Sequence, residues 1–219
     1  MADAPLWEKP GLRAVAGNTL RPGGFSLTDR AAEGIDMLPG WRVLDVGCGL
    51  GATMHRLQAR FGARAFGVEI SSGQLRLAEN TTGMVRASGE CLPFRDGMFH
   101  AVFCECVLSL LNDRPSALRQ AHRVLRPGGF LVLSDLCTQG ASPPGGDSCA
   151  ERAWPLPDVV QLVGNCGLHI LSVEDHTPRL RELAARLAFA GERPDCPGCG
   201  GSLGYYLMIA RKQEENHAG

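Results

Sequence analysis

Several kinds of residue are scarce in this sequence, and each shortage excludes a class of protein. Lysine occurs only as Lys9 and Lys212 among 22 basic residues, and the net charge is −1, so charge does not favour nucleic acid as a partner. No run of about 20 apolar residues predicts a membrane-spanning helix. Residues 1–15 carry acids and prolines and lack the apolar core of a secretory leader. We therefore expect a cytoplasmic protein without nucleic-acid or membrane partners.

Cysteine is the residue that the sequence has in excess. The nine cysteines are odd in number and scattered, and no secretory leader precedes them, which argues against a disulfide framework. We expect reduced thiols, most of them acting as small buried apolar side chains.

Short β-rich segments alternate with helical segments along the chain. The predicted strands are WRVLDV (41–46), RAFGVEI (64–70), MVRAS (84–88), HAVFCEC (100–106), FLVLSDL (130–136), HILSVED (169–175) and YYLMIAR (205–211). The predicted helices lie near 28–38, 51–60, 72–80, 115–125, 157–166 and 179–190. This alternation predicts one α/β domain, with a mostly parallel sheet and helices on both faces.

The stretch VLDVGCGLGATM is a strand followed by a glycine-rich turn that opens into a helix. Gly47, Gly49 and Gly51 permit a tight bend and a close approach of a ligand to the backbone. Glu69 ends the next strand, where a carboxylate can accept hydrogen bonds from two ribose hydroxyls. The spacing from Gly47 to Ala52 also fits a dinucleotide-binding turn, but Asp45 beside the bend suits an ammonium group better than a pyrophosphate.

Four stretches resemble class I S-adenosylmethionine-dependent methyltransferases in order and spacing: VLDVGCGLG, GVEISSGQLRLAEN, LPFRDGMFHAVFCECVLSLL and ALRQAHRVLRPGGFLVLSD. The resemblance implies a Rossmann-like sheet of seven strands with the last strand antiparallel, S-adenosyl-L-methionine as cofactor, and a small-molecule methyl acceptor. It also implies cofactor contacts at Asp45, Gly47, Cys48, Gly49, Gly51, Glu69, Ile70, Ser88, Gly89, Glu90 and Cys104. Ser88 departs from the pattern, since relatives carry Asp there; serine accepts the same hydrogen bond without a charge.

The resemblance divides the single domain, residues 1–219, into three parts. Residues 1–40 are expected to form an N-terminal lid and helix, 41–136 the cofactor-binding half, and 137–219 the acceptor-side half. In the first part, Gly23 and Gly24 give a hinge and Thr28 can cap the following helix. An ordinary packing helix is the alternative for this segment.

The stretch FCEC places Glu105 between two cysteines at the end of a predicted strand. Alternation along a strand predicts Cys104 and Cys106 on one side of the sheet and Glu105 on the other. Cys104 then lies near the methionine part of the cofactor and Cys106 towards the methyl acceptor, and no general base stands out.

The segment that begins at Cys106 is also similar to arsenite methyltransferases. That similarity implies metalloid-binding, catalytic roles for Cys106 and Cys149, and thiolates suit soft acceptors such as arsenite or a thiol. Two departures weigh against it: Met54 replaces a family cysteine, and the family's long C-terminal extension is missing. The alternatives are a methyltransferase for a small O-, N- or C-acceptor with structural cysteines, a nicotinamide-dependent oxidoreductase, and a zinc-binding non-enzyme.

The pair Cys196 and Cys199 forms a single C-x-x-C in a Pro/Gly-rich loop. A structural zinc site normally needs four ligands, and the sequence offers no second pair, so we assign no metal site. A substrate or redox role and a plain turn both stay open for this motif, and the sequence does not indicate the oligomeric state.

Overall fold

The computed structural model describes residues 10–138, 140, 148–191 and 203–214. Cys196 and Cys199 lie outside these residues. Within the described segments, no helix combines the length and the apolar character needed to cross a bilayer.

The core of the fold is one eight-stranded sheet. Its strands are β1 (Arg42–Val46), β2 (Arg64–Glu69), β3 (Met84–Arg86), β4 (Phe99–Glu105), β5 (Leu125–Thr138), β6 (Trp154–Pro155), β7 (Leu168–Asp175) and β8 (Leu203–Lys212). Their order across the sheet is β3-β2-β1-β4-β5-β8-β7, and the short β6 pairs with the end of β5. Strand β8 runs antiparallel to both of its neighbours, β5 and β7, while the other pairs are parallel.

Helices cover the sheet and connect its strands. They are α1 (Pro10–Ala16), α2 (Phe25–Gly34), α3 (Ala52–Phe61), α4 (Ser72–Leu77), α5 (Arg114–Val124), α6 (Leu156–Asn165) and α7 (Thr177–Phe189). One face of the sheet packs with α2 and α3 through Ala31, Leu57 and Phe103. The other face packs with α5 and α6 through Leu118, Val163 and Leu133. The predicted α/β architecture, with helices on both faces and an antiparallel last strand, is confirmed; β6 is an addition.

Two local features mark the start of α5 and the course of β5. The Asp113 carboxylate accepts a hydrogen bond from the Ser116 amide, which caps α5 in the manner expected of an N-terminal aspartate. The helix ends at Val124, where the sequence LRPGG begins. Those residues belong to β5, and the register of its pairing with β4 shifts between Phe99 and Ala101.

Helix α2 begins three residues earlier than the sequence predicts and packs against the sheet. Its N-cap is Gly24, without a side-chain cap, and Thr28 lies inside the helix, so the predicted cap at Thr28 is wrong. Ala31 and Ala32 are fully buried, and Asp29 pairs with Arg56 of α3. These contacts pack α2 against the sheet and α3, and the lid expected for residues 1–40 stays a prediction.

Candidate functional site

The glycine bend after β1 has the backbone that its sequence predicts. Gly47, Gly49 and Gly51 have φ values of +72°, +53° and +81°, a region that side chains with a Cβ rarely adopt. A Cβ on Gly47 would lie 2.3 Å from Cγ2 of Val107, in the loop after β4. A Cβ on Gly49 would meet nothing within 4 Å. The bend therefore packs tightly at Gly47 and leaves open space at Gly49.

Asp45 is a buried carboxylate without a hydrogen-bond donor. The residue is 4% exposed, and no described residue donates a hydrogen bond to it. Burial raises the pKa of Asp45 well above its usual range, and the neighbouring carboxylate of Glu105 raises it further, while Arg21 opposes both. Its oxygens are not among the buried atoms that are sealed from solvent without a partner. A cationic ligand would supply the missing donors.

Glu69 ends β2 and faces the same bend. Its carboxylate accepts hydrogen bonds from the Gly49 amide at 2.9 Å and from the Ser71 amide at 2.7 Å. Two backbone donors fix the orientation of the carboxylate, and its remaining lone pairs are free to accept from hydroxyl groups. Ile70 follows directly and is 66% exposed, which provides an apolar surface beside the carboxylate.

Ser88, Gly89 and Glu90 form a tight turn after β3. The Ser88 hydroxyl accepts a hydrogen bond from the Glu90 amide at 3.2 Å. The Glu90 carboxylate accepts from the amides of Asn112 and Asp113 at 2.7 and 2.8 Å. Glu90 thus tethers the loop after β4, a role that the sequence did not indicate.

Glu105 is the centre of a buried network that the sequence analysis missed. Its carboxylate pairs with Arg21 at 2.8 Å, and the two side chains are 2% and 5% exposed. It also accepts hydrogen bonds from Thr28 of α2 at 3.1 Å and from Thr53 of α3 at 2.9 Å. One feature of the sequence could have indicated this network. Glu105 is an acidic residue at the end of a buried strand, and a buried carboxylate needs a cationic partner. The Nε of Arg21 has no partner, although the guanidinium also reaches Thr19 and Thr28.

The predicted placement of the two cysteines around Glu105 is wrong. Cys104 packs in the core cluster on the α5 and α6 face, with Val102 and Leu133. Cys106 packs on the other face, with Leu27 and Tyr205. Strict alternation stops at Glu105, where β4 ends, and Cys106 adopts a left-handed backbone with φ +57°. Cys106 therefore shares its side of the sheet with Glu105.

Cys106 belongs to a short chain of buried polar groups. Its Sγ lies 3.1 Å from the Tyr205 hydroxyl, which in turn donates to Ser134 Oγ at 3.1 Å. Burial raises the pKa of the Cys106 thiol well above its usual range, and Asp135 raises it further. Cys149 packs in the same apolar cluster. The two predicted acceptor-side cysteines are thus brought together, with Cys106 held as a neutral thiol.

The side chains of Cys48 and Cys104 face the core. Cys48 packs with Met54 and Ala65, and burial raises the pKa of its thiol. Burial also raises the pKa of Cys104 well above its usual range. A cofactor bound beside Cys48 or Cys104 would therefore contact the backbone of these residues and not a thiolate. No group of three or more metal-ligating His, Cys, Asp or Glu side chains occurs in the described part of the chain.

The chain is similar to methyltransferases in sequence. Residues 44–133 match the family described as "Methyltransferase domain". The 27-O-demethylrifamycin SV methyltransferase of Amycolatopsis mediterranei is 32% identical over 173 residues, which cover 75% of this chain and 61% of that protein. Phosphoethanolamine N-methyltransferase 1 of Zea mays is 28% identical over 71% of this chain, which spans 33% of the maize protein. O-methyltransferase cnsE of Penicillium expansum is 28% identical over 95% of this chain and 78% of its own length.

Solved structures share the fold. The [4+2]-cyclase SpnF superposes with a TM-score of 0.78 at 23% identity, covering 94% of this chain and 92% of its own. Phosphoethanolamine N-methyltransferase 2 of Haemonchus contortus, in complex with S-adenosyl-L-methionine, has a TM-score of 0.75 at 19% identity, covering 93% and 56%. A similarity to arsenite methyltransferases is not shown by these comparisons. Residues 44–133 thus match a methyltransferase domain, the curated relatives are methyltransferases, and the chain shares the Rossmann-like α/β fold of the solved structures.

Proposed function

We propose that the protein binds S-adenosyl-L-methionine at the end of β1 and transfers its methyl group to a small organic acceptor. The observation that carries this proposal is Asp45, a buried carboxylate that lacks a donor beside a glycine bend with open space at Gly49. The family match over residues 44–133 and the methyltransferase relatives support it. The fold alone would not, since SpnF shares it and is a [4+2]-cyclase.

The residues at the bend suit this cofactor in charge and shape. Asp45 would accept hydrogen bonds from the ammonium group, and Glu69 would accept from the ribose hydroxyls. The backbone of Gly47, Cys48, Gly49 and Gly51 lets the ligand approach closely, and Ile70 offers an apolar surface to the base. Ser88, Gly89, Glu90 and the backbone of Cys104 complete the proposed contact set. When bound, the cofactor supplies a methyl group on a positively charged sulfur, which is open to in-line displacement.

The protein's own contribution to such a reaction is alignment. Glu105 joins Arg21, Thr28 and Thr53, so it connects the N-terminal segment, α2 and α3 at the glycine bend. A site held in this way places two reacting groups in one orientation, and proximity of that kind lowers a barrier without a charged catalyst. A neutral amine needs no base in order to attack, and the product ammonium can release its proton to solvent. A phenol has to lose its proton to solvent before or during the attack.

The organic acceptor is favoured over arsenite or a thiol for two reasons. Burial raises the pKa of the Cys106 thiol, which disfavours the thiolate that soft centres bind. In addition, the described residues bring Cys106 and Cys149 together without a third ligand of the required kind. Among the described residues, the soft-acceptor alternative rests on this pair of cysteines.

Titration with adenosylhomocysteine, followed by transfer of a labelled methyl group, tests the proposal. We expect calorimetric binding that Asp45→Asn weakens by about tenfold, since the lost charge was a buried ion-pair partner. We also expect label transfer to members of an acceptor library of phenols, amines and carbon nucleophiles. Binding of NADH in place of adenosylhomocysteine would overturn the proposal.

Cys106→Ser and Cys149→Ser separate the two kinds of acceptor. For an organic acceptor, both variants should keep turnover within a few-fold of the parent. Abolished methylation of arsenite or of a small thiol, with unchanged adenosylhomocysteine affinity, would instead establish the soft acceptor. Cys91→Ser is the matched control, because Cys91 is an exposed cysteine away from this cluster.

A further inference from the structure

A cavity at the carboxyl edge of the sheet has no role in the site described so far. Its volume is about 340 Å³, which lies in the range of small-molecule sites. The ends of β5 and β7, the start of β8 and the start of α6 surround it, through residues that include Thr138, Leu156, Asp175, Thr177 and Tyr205. The carboxyl ends of parallel strands meet at one edge, so the cavity shares its edge with Asp45 and Glu105.

The cavity connects to the proposed acceptor side through Tyr205. This tyrosine forms part of the cavity wall, and its hydroxyl lies 3.1 Å from Cys106 Sγ. Tyr205 also packs in the apolar cluster with Leu27 and Cys149. A molecule in the cavity therefore rests against the residue that borders the end of β4.

The chemistry of the wall selects a class of ligand. Most of the lining is apolar, from Pro155, Leu156, Pro157 and the two tyrosines, and none of the described residues that line it is basic. Asp175 is the charged residue among the described lining residues, and it is exposed at the rim. Its carboxylate accepts hydrogen bonds from the Thr177 amide and hydroxyl, at 2.8 and 2.5 Å, which fix its position.

The cavity wall is closely packed around Gly204, where a side chain would not fit without displacing its neighbours. A Cβ there would lie 3.0 Å from Cys137 Sγ and 3.1 Å from Thr177 Oγ1. Both atoms belong to lining residues, so a side chain at this position would push into the wall.

We propose that this cavity binds the apolar body of the methyl acceptor, and that the acceptor is neutral or cationic with a donor group facing Asp175. This proposal rests on the proposed function for its reaction but not for its binding site. Among the described lining residues a phosphorylated acceptor would find no cation, and its charge would be repelled by Asp175. The protein therefore differs in acceptor class from the phosphoethanolamine methyltransferases among its relatives.

Three two-ring probes of matched size test the charge preference: 2-naphthylmethylamine, 2-naphthol and 2-naphthoate. Each is titrated against the full chain by ligand-observed NMR, with saturating adenosylhomocysteine. We expect the amine to bind at least as tightly as the naphthol, and the naphthoate to bind at least tenfold more weakly. Equal or tighter binding of the naphthoate, or no binding of any probe, overturns the proposal.

Variants locate the binding. Leu156→Trp fills the cavity and should weaken binding of the amine and of the naphthol at least tenfold. Leu171→Trp, at an exposed position of β7, should leave the affinity for both probes unchanged. Asp175→Asn should reduce the preference for the amine over the naphthoate, and it serves as the second variant if Leu156→Trp does not fold. Unchanged probe binding in either cavity variant overturns the proposal. Adenosylhomocysteine affinity, measured on each variant, should stay at the parental value. If the unmutated protein does not bind adenosylhomocysteine at all, the proposed function is refuted instead of the cavity proposal.

Discussion

Asp45 at the end of β1 and Glu105 at the end of β4 are neighbouring buried carboxylates on the same face of the sheet, and they differ in their partners. Glu105 pairs with Arg21 and accepts from Thr28 and Thr53. Asp45 accepts a hydrogen bond from no described residue, although the residue as a whole is also buried. A buried carboxylate with all its partners belongs to the scaffold, since its charge is already compensated. One without partners lowers stability until a ligand binds, and is the better candidate for a functional group.

Removal of Glu105 should have the largest effect on stability. Glu105→Leu leaves Arg21 as a buried cation without its partner, which should lower the free energy of unfolding by about 3–5 kcal/mol. The double variant Arg21→Met/Glu105→Leu should lose much less, because it leaves no isolated charge. Urea unfolding of both variants measures the difference. A loss below about 1 kcal/mol in the single variant would show that Arg21 finds another partner.

Gly47→Ala should have the second-largest effect on stability, because it disturbs the glycine bend that follows Asp45. The new Cβ combines a positive φ with a contact of 2.3 Å to Val107, whose branched side chain has little freedom to move. We expect a loss of about 2–4 kcal/mol and weaker adenosylhomocysteine binding. Gly49→Ala is the matched control, since it has the same sign of φ with nothing within 4 Å, and should lose only about 1 kcal/mol. Equal losses in the two variants would contradict the contact.

Asp45→Asn should raise stability, the opposite of the change at Glu105. The pKa of Asp45 is raised in the folded chain, so the native state binds a proton more readily than the unfolded state. Stability of the parent therefore falls as pH rises from the unfolded pKa through the folded one. The variant carries no charge there, so its advantage in unfolding free energy should be smallest near about pH 4 and should grow as the pH rises through the folded pKa of Asp45. An advantage that is independent of pH would mean that the carboxylate is not the cause.

Tyr205→Phe should have the smallest effect. It removes the hydrogen bond to Ser134 and the contact with the Cys106 thiol, which should cost about 1 kcal/mol. Tyr206→Phe is the control, since Tyr206 is equally buried and its hydroxyl has no hydrogen bond among the described residues. The midpoint temperature of thermal unfolding should be lower for Tyr205→Phe than for Tyr206→Phe. Adenosylhomocysteine affinity should not distinguish them.

The glycine bend could be predicted from sequence because its determinants lie close together in the chain. Asp45, Gly47 and Gly49 fall within five consecutive residues, and their spacing alone predicts a strand, a tight turn and an acidic group at one point. The positive φ values of the glycines confirm that local prediction. The same holds for the strands, whose alternation with helices predicted a mostly parallel sheet.

The partners of Glu105 could not be predicted in this way. Thr28 and Glu105 are 77 residues apart, and Cys106 and Tyr205 are 99 residues apart, so no local spacing connects them. The side to which Cys106 points depends on a single backbone conformation, φ +57°, at the residue where the strand ends. A rule of alternation applies only inside a strand, and it fails one residue beyond it.

The position of β8 between β5 and β7 has a consequence for how the chain folds as it is synthesised. β7 leaves the ribosome before β8 but pairs only with β8, so it cannot join the sheet on its own. Until residues 203–212 emerge, the growing chain carries β5 with one edge unpaired over much of its length. An unpaired edge invites pairing with other chains. Strand β8 therefore covers the open edge of β5 and attaches β7 to the sheet in one late step.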